Sequence, residues 1–282
     1  TQTHTVLKSV PVGSGPRAPA ANPGLRKVYV PNFNDNTVSV IDAVAQAVVK
    51  TIPVGAGPNH AAVDADHDKV YVNNLTARTI SVIDSATDTV VGTLPSGVGS
   101  DDNFGLVNHA YHRYYLPNAE DDTLTIVDTD TDTVVHTVAV GNEPIQAVVD
   151  ANGGNVYVVN QTSRNVSVLD ARTETFLTNY AVGIGPWRIV VDDNHVYVLN
   201  GNGTSPDTMT VSTRHNTLAN THLATEWYHA GFDHYFHTAS ALENQVINDG
   251  AYADDWERTY GFFRVWTAPG AGRQPVSRFF ST

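Results

Sequence analysis

The chain has no cysteine and only one methionine, and it is poor in charged residues. Without cysteine, disulfide bonds and thiolate chemistry are excluded. Charged residues make up 16% of the 282 residues, below the ~25% typical of soluble domains. Lys and Arg number 16 against 29 Asp and Glu, which gives a formal net charge of −13. Because nucleic acids and anionic membrane surfaces are bound through Lys and Arg, we expect neither as a partner.

Long apolar runs are also missing, since no window approaches the roughly 18 to 20 residues of a membrane span. We therefore expect no membrane insertion. The sequence begins at Thr1, and its one methionine is Met209. This indicates that an upstream segment has been removed, and a cleaved secretory signal would fit. The expected location is therefore secreted, extracellular or at the cell surface.

What the chain does contain is a repeat. A tyrosine in a short apolar run returns at spacings of 42, 44, 42 and 40 residues: Tyr29, Tyr71, Tyr115, Tyr157 and Tyr197. An asparagine follows three residues after each: Asn32, Asn74, Asn118, Asn160 and Asn200. An aspartate ends the next apolar run at Asp42, Asp84, Asp128 and Asp170, with Ser212 in the fifth place. Self-similarity at a fixed period of this length is typical of repeat architectures.

Each repeat predicts four short strands. In the second repeat they are residues 60–63, 69–72, 79–83 and 89–94, which are rich in β-branched and aromatic residues and bounded by turn residues. Four such strands make one antiparallel sheet, and four-stranded sheets repeated radially are propeller blades.

The phase of the repeats predicts the number of blades. Residues 5–13 match the fourth strand of a repeat, so the chain begins on an outer strand and runs through five sheets to about Ser212. We expect the strand of residues 4–12 to pair with the strand near residues 208–211 and close the ring. Alternatively residues 216–223 supply that outer strand, and the N-terminal strand pairs with a neighbouring molecule in a homo-oligomer.

These repeats resemble the YVTN family of β-propeller repeats. The resemblance lies in the V-Y-V-x-N cores, the N-T-V-S-V-I-D strands and the V-G-x-G-P turns, over roughly residues 4 to 212. It implies a propeller of the kind found in secreted and cell-surface proteins and related to larger lactonase-type propellers. This chain has five repeats where seven are common in the family.

The pattern changes after Thr225. Residues 226–239 predict an aromatic hairpin, Ser240 caps a predicted helix over residues 241–249, and residues 262–266 and 276–280 predict strands. The pieces F-D-H-Y-F-x-T-A, W-x-R-T and R-F-F resemble a small uncharacterised module of bacterial secreted proteins. The predicted organisation is an all-β, five-bladed β-propeller (residues 1–214), a linker (215–225) and a small α+β domain (226–282), through which the chain could also form homo-oligomers.

Two patterns resemble metal sites, and both favour a simpler interpretation. Asp128, Asp130 and Asp132 alternate as in a calcium loop, but the glycine and glutamate of such a loop are missing. His229, His234 and His237 lie in the predicted hairpin and are interpreted as structural or surface histidines. We therefore predict no metal and no cofactor.

The candidate site comes from positions where the repeats differ. In a propeller the first strand of each blade lines the axis, so residues just after the turn proline face it. Two positions after that proline stand Ala18, His60, Gln146 and Arg188, and one position after it stand Arg17, Asn59, Ile145 and Trp187. The predicted ligand-binding residues are His60, Gln146, Trp187, Arg188, Arg17 and Asn59. They suit a glycan or an anionic small molecule. Alternatively they only fill a narrow axis.

Three functions remain open at this stage. The first is a secreted, non-enzymatic binding protein with an extracellular ligand or protein partner. The second is a lactonase-type hydrolase that uses the axial mouth, for which His60 would have to serve as the base, since no carboxylate can be placed beside it. The third is a subunit of an extracellular assembly.

Overall fold

The structure is a computed structural model that describes residues 6–100, 104–150, 153–201 and 207–214, and the backbone of three further strands. The chain divides into two compact units, Thr1–His215 and Asn216–Thr282. Within the described residues, no helix is long and apolar enough to cross a membrane.

The described part of the first unit consists of antiparallel sheets in chain order, numbered here one to five. Sheets one and two contain β1 (Ala20–Asn22), β2 (Lys27–Asn32), β3 (Thr37–Asp42), β4 (Ala47–Pro53), β5 (Pro58–Asp64), β6 (Lys69–Asn74), β7 (Thr79–Asp84) and β8 (Thr89–Pro95). Sheets three and four contain β9 (Leu106–Asn108), β10 (Arg113–Asn118), β11 (Thr123–Asp128), β12 (Thr133–Ala139), β13 (Pro144–Val149), β14 (Asn155–Asn160), β15 (Asn165–Asp170) and β16 (Thr175–Ala181). Sheet five has three strands, β17 (Pro186–Val191), β18 (His195–Asn200) and β19 (Thr208–Thr213). The predicted quartet is confirmed in four sheets.

The repeated aspartate builds the last hairpin of each four-stranded sheet. In sheet two, Asp84 Oδ1 accepts a hydrogen bond of 2.7 Å from the backbone N–H of Thr87. The turn ends at Asp88, whose φ of 55° is left-handed. A tight turn followed by a left-handed residue and a bulge is a common antiparallel hairpin, and β7 and β8 shift register beside it. The same arrangement at Asp128 confirms that Asp128–Asp132 is a hairpin of the repeat.

The repeated asparagine holds the turn that precedes each sheet. Asn74 is fully buried, and its Nδ2 donates to Thr79 Oγ1 and Ser81 Oγ at 3.1 and 2.9 Å. Gly55 packs so closely on it that a Cβ there would lie 2.6 Å from Asn74 Nδ2. Equivalent asparagine–glycine pairs occur in all five sheets. Asn and Gly are therefore part of the framework rather than of a ligand site.

The apolar core lies between neighbouring sheets. Tyr71 and Val82 of sheet two pack with Leu116 of sheet three, and similar clusters join the other neighbours. Sheet five buries Ile189 against sheet four, but its other face is open: Val190 is 63% and Met209 is 55% exposed. The repeat thus leaves one apolar sheet face without a cover in the described part of the chain.

The predicted closure by the N-terminal strand is not seen. Residues 6–12 form no strand, and Val6 is 90% exposed. Among the described residues β19 pairs only with β18. The segment that follows is instead held by sheet one, because Ser14 N–H donates to Asp35 Oδ2 at 2.7 Å and Phe33 N–H donates to the Gly15 carbonyl at 2.9 Å.

The second unit contains β20 (Thr221–His229), β21 (His234–Thr238) and β22 (Trp256–Trp266), in the sheet order β21-β20-β22. The predicted hairpin is present, with His229 opposite His234 in the register. Residues 221–225 of the predicted linker belong to β20, which begins at Thr221. The predicted helix over 241–249 and the strand over 276–280 lie outside the described residues.

Candidate functional site

The first strands of successive sheets meet edge to edge, and they carry the predicted site residues. Ala18 forms a parallel β-bridge with His60, and the backbone N–H of Ala61 donates a hydrogen bond of 3.2 Å to the Ala18 carbonyl. Phe104 bridges Gln146 in the same way. Gln146 then reaches sheet five, where its Oε1 accepts a 3.1 Å hydrogen bond from the backbone N–H of Ile189. These positions therefore follow one line across the sheets.

Phe104 brings His60 and Arg188 together. Its ring meets the His60 ring edge-on at a centroid distance of 5.5 Å. The Arg188 guanidinium lies over the same phenyl ring, with Cζ 4.4 Å from its centroid. Sequence comparison missed Phe104, because the third repeat is irregular before β9 and has no turn proline by which to align it.

Trp187 also contacts the Arg188 guanidinium. Arg188 Cζ lies 5.0 Å from the centroid of the Trp187 ring, and Nη1 donates to the Trp187 carbonyl at 2.8 Å. The Trp187 side chain is 45% exposed. The guanidinium thus contacts two aromatic rings, and one of them, the Trp187 indole, is open to solvent.

The other two predicted residues have different surroundings. Asn59 is buried, and its Nδ2 points to the carbonyl of Ser100 at 3.5 Å. Arg17 is exposed and lies over the Phe33 ring at 4.8 Å. The described contacts gather His60, Gln146, Trp187 and Arg188 along the inner strands, and they place Arg17 on sheet one.

Comparison with known proteins agrees with this architecture. Residues 3–112 match the family model described as YNCE-like beta-propeller. Hydrazine synthase from Kuenenia stuttgartiensis superposes with a TM-score of 0.63 at 16% identity, over 75% of this chain and 67% of that one. The repeats form a YVTN-type β-propeller.

Two further structures share the propeller fold at low identity. One is a functionally unknown protein from Desulfotomaculum acetoxidans DSM 771, with a TM-score of 0.56 and 15% identity over 72% of this chain and 70% of that one. The other is dihydro-heme d1 dehydrogenase NirN, with a TM-score of 0.57 and 15% identity over 72% of this chain and 44% of that one. No curated protein sequence matches the chain. These likenesses show the fold alone.

The electrostatics of the propeller site depend on His60. Burial lowers the pKa of His60 to about 4, because a charged imidazolium would lose its hydration. Its Nδ1 is buried and has no hydrogen-bond partner among the described residues. At neutral pH the ring is therefore uncharged and a weak base.

Histidine and aspartate side chains of the propeller also come together away from the inner strands. Two groups of three in the described residues have the spacing of metal ligands: His67 with His112 and Asp130, and Asp64 with Asp66 and His109. Sequence reasoning considered Asp130 only within the run Asp128–Asp132 and missed both groups, because each group combines turns of two different repeats.

Proposed function

We propose that this propeller is a secreted or cell-surface, non-enzymatic binding protein that holds an anionic ligand, such as an acidic glycan, against Trp187 and Arg188. The observation that carries the proposal is the environment of the Arg188 guanidinium, which lies against two aromatic rings and has no carboxylate partner among the described residues.

Arg188 differs in this respect from three other basic side chains of the propeller, which are paired with carboxylates. Lys27, Lys69 and Arg113 each pair with a carboxylate oxygen at 2.9, 2.7 and 2.7 Å. The two rings restrict the side chain of Arg188, so that little conformational entropy is lost when it binds. A guanidinium in this state favours a bidentate contact with a carboxylate or sulfate.

The exposed indole supports a sugar as the carrier of that anion. Trp187 offers an apolar face next to the positive charge, and stacking beside a charge-assisted hydrogen bond suits the ring and the carboxylate of a uronic acid. The extracellular location in the proposal rests on the resemblance to secreted YVTN proteins.

A hydrolytic role would depend on His60 as the general base. Efficient proton transfer needs a base with a pKa near the working pH, and the low pKa of His60 weighs against that role. This is why binding is proposed rather than lactone hydrolysis.

The binding proposal is tested by calorimetric titration with trigalacturonate, with the neutral trisaccharide maltotriose as the control ligand. We expect binding of trigalacturonate only, and a loss of affinity of at least about tenfold in Arg188→Met and in Trp187→Ala. Arg172→Met, at an exposed turn position of sheet four, is the matched control and should bind like the parent. Equal binding by Arg188→Met and the parent would refute the proposal.

Enzymatic turnover is tested separately with a panel of lactones and esters. We expect no hydrolysis by the parent. Activity that is present in the parent and lost in His60→Ala would replace the binding proposal with the hydrolase hypothesis.

The proposal includes five blades with residues 4–12 as the outer strand of the fifth. It is supported by the match of residues 5–13 to the fourth strand of a repeat and by β19, which pairs only with β18 in the part of the chain that the structure describes. If the strand pairs with another copy instead, the protein is a subunit of an assembly.

A further inference from the structure

Three turns of sheets two and three converge on one point. His67 lies in the turn between β5 and β6, His112 in the turn between β9 and β10, and Asp130 in the turn between β11 and β12. Asp130 Oδ1 lies 2.8 Å from His67 Nε2 and 2.9 Å from His112 Nδ1. The two ring nitrogens are 3.3 Å apart.

The partner of the other His67 nitrogen determines which proton the ring carries. His67 Nδ1 lies 2.9 Å from Asp64 Oδ2, and the Asp64 side chain is only 2% exposed. A carboxylate accepts, so Nδ1 carries the proton, and a neutral ring then presents the lone pair of Nε2. That lone pair faces another acceptor, Asp130 Oδ1, at 2.8 Å, and this contact is favourable only with a second proton on the ring or with a cation between the two atoms.

The repeat framework does not require these three residues. The equivalent positions at the junction of sheets one and two are Leu25, Asp68 and Ala86, and at the junction of sheets three and four they are Tyr111, Gly154 and Arg172. The junction of sheets two and three also keeps its own ion pair, Lys69 with Asp132 at 2.7 Å. The sheets are therefore joined without the cluster, and its composition calls for another explanation.

We propose that His67, His112 and Asp130 bind one divalent transition-metal ion of the zinc class, with Asp64 as the carboxylate that positions His67. Imidazole and carboxylate are ligands that zinc prefers, and a ligating histidine typically donates its other N–H to a carboxylate. A zinc tetrahedron with bonds of about 2.0–2.1 Å has edges of about 3.3 Å. The observed separations of 2.8, 2.9 and 3.3 Å are close to that size.

The surroundings favour a cation with an open coordination position. Asp130 is 55% exposed, so solvent reaches the point where the ligand atoms meet. The carboxylate of Asp66, the residue before His67, adds negative charge nearby. It lies 2.8 Å from His109 Nδ1. The fourth ligand is therefore water, and the ion links the turns of two neighbouring sheets.

A second proton on His67 is the competing explanation. Burial would lower the pKa of His67, but the hydrogen bond to Asp64 and the charges of Asp64 and Asp130 outweigh it and raise the pKa. A doubly protonated ring would satisfy both carboxylates without metal. The experiment has to separate these two possibilities at one fixed pH.

The test is calorimetric titration of the chelator-treated full chain with Zn²⁺ at pH 7.5, together with thermal unfolding. We expect one saturable equivalent that depends on the cluster and a higher Tm with Zn²⁺ than without it. Co²⁺ bound at the same place should show the intense visible absorption of tetrahedral cobalt, which a proton bridge cannot produce.

The variants assign the ion to these residues. We expect the bound equivalent of Zn²⁺ to be lost in each of three variants: His67→Gln, Asp130→Asn and His112→Asn. Asparagine is chosen at position 112 because it tolerates the left-handed φ of 53° there. Asp64→Asn, which leaves the three proposed ligands in place, should weaken binding by roughly 10–100-fold. His195→Gln, a half-exposed histidine of sheet five, is the matched control and should bind like the parent.

Three outcomes would overturn the proposal. One is no saturable Zn²⁺ binding by the parent. Another is equal stoichiometry and affinity in the parent and in folded Asp130→Asn, which would place the ion elsewhere. The third is tighter binding of Ca²⁺ than of Zn²⁺ by the parent, because calcium selects oxygen ligands.

Discussion

The Tyr29 hydroxyl donates a 3.0 Å hydrogen bond to Asp88 Oδ1, which joins the second strand of sheet one to the last hairpin of sheet two. Lys27 Nζ reaches the same carboxylate at 2.9 Å. Tyr71 and Lys69 repeat the arrangement with Asp132 at the next junction. Burial, followed by the hydrogen bond to Asp88, raises the pKa of Tyr29, so the phenol stays a donor at physiological pH. The left-handed turn residues of these two hairpins, Asp88 and Asp132, thus also join neighbouring sheets.

Removing the Tyr29 hydroxyl should destabilise the propeller. Tyr29→Phe leaves the ring in place but takes a hydrogen bond from a buried carboxylate, so we expect a loss of about 1.5–3 kcal/mol in the free energy of unfolding, measured by urea denaturation. The matched control is Tyr114→Phe. The Tyr114 hydroxyl is buried without a partner among the described residues, so its removal should be neutral or stabilising. Equal effects of the two substitutions would contradict the role given to Asp88.

The close approach of Gly55 to Asn74 predicts a position-specific cost. In Gly55→Ala the new Cβ would lie 2.6 Å from Asn74 Nδ2, and the asparagine is held by two other hydrogen bonds. We expect a loss of roughly 1–3 kcal/mol, as is usual for overpacking. Gly92→Ala is the control, because its Cβ would meet Val82 at an ordinary 3.6 Å. In thermal melts, Gly55→Ala should therefore lower the Tm, and Gly92→Ala should lower it much less or raise it.

The low pKa of His60 predicts acid sensitivity. The folded pKa of about 4 lies below the ordinary 6.5, so between these values the unfolded chain binds more protons than the folded one. Stability is then lost as the pH falls through this window, and the contribution of His60 is about 2 kcal/mol at pH 5. In His60→Phe, which keeps a ring against Phe104, the difference in unfolding free energy between pH 7.5 and pH 5 should shrink by that amount. An unchanged difference would mean that the imidazole is not buried in solution.

The N-terminal strand is tested by deletion and by substitution. If residues 4–12 close the ring, a chain that begins at Gly13 should lose several kcal/mol of stability, which is the scale of losing a packed element. Replacing the exposed Val6 and Leu7 by serine is the finer probe, because it should be neutral if both stay in solvent and destabilising if they pack on β19. Parent-like melting of both variants would refute the closure. A change from dimer to monomer on deletion would show that the strand pairs with a second copy.

The sequence by itself determined the strands, the turns and their period. The reason is that the interactions responsible are local: Asn74 reaches only five and seven residues ahead, and Asp84 only three. Repeating such short-range contacts specifies each sheet independently of the others. The same comparison of repeats also indicated the first-strand positions that carry His60, Gln146 and Arg188.

The tertiary structure decided which repeats come into contact through their side chains. Phe104 stands between His60 and Arg188, and Asp130 meets a histidine of the preceding sheet, across sequence separations that no local pattern encodes. These contacts depend on the angle at which one sheet packs on the next, and that angle is set by the whole buried interface between the sheets.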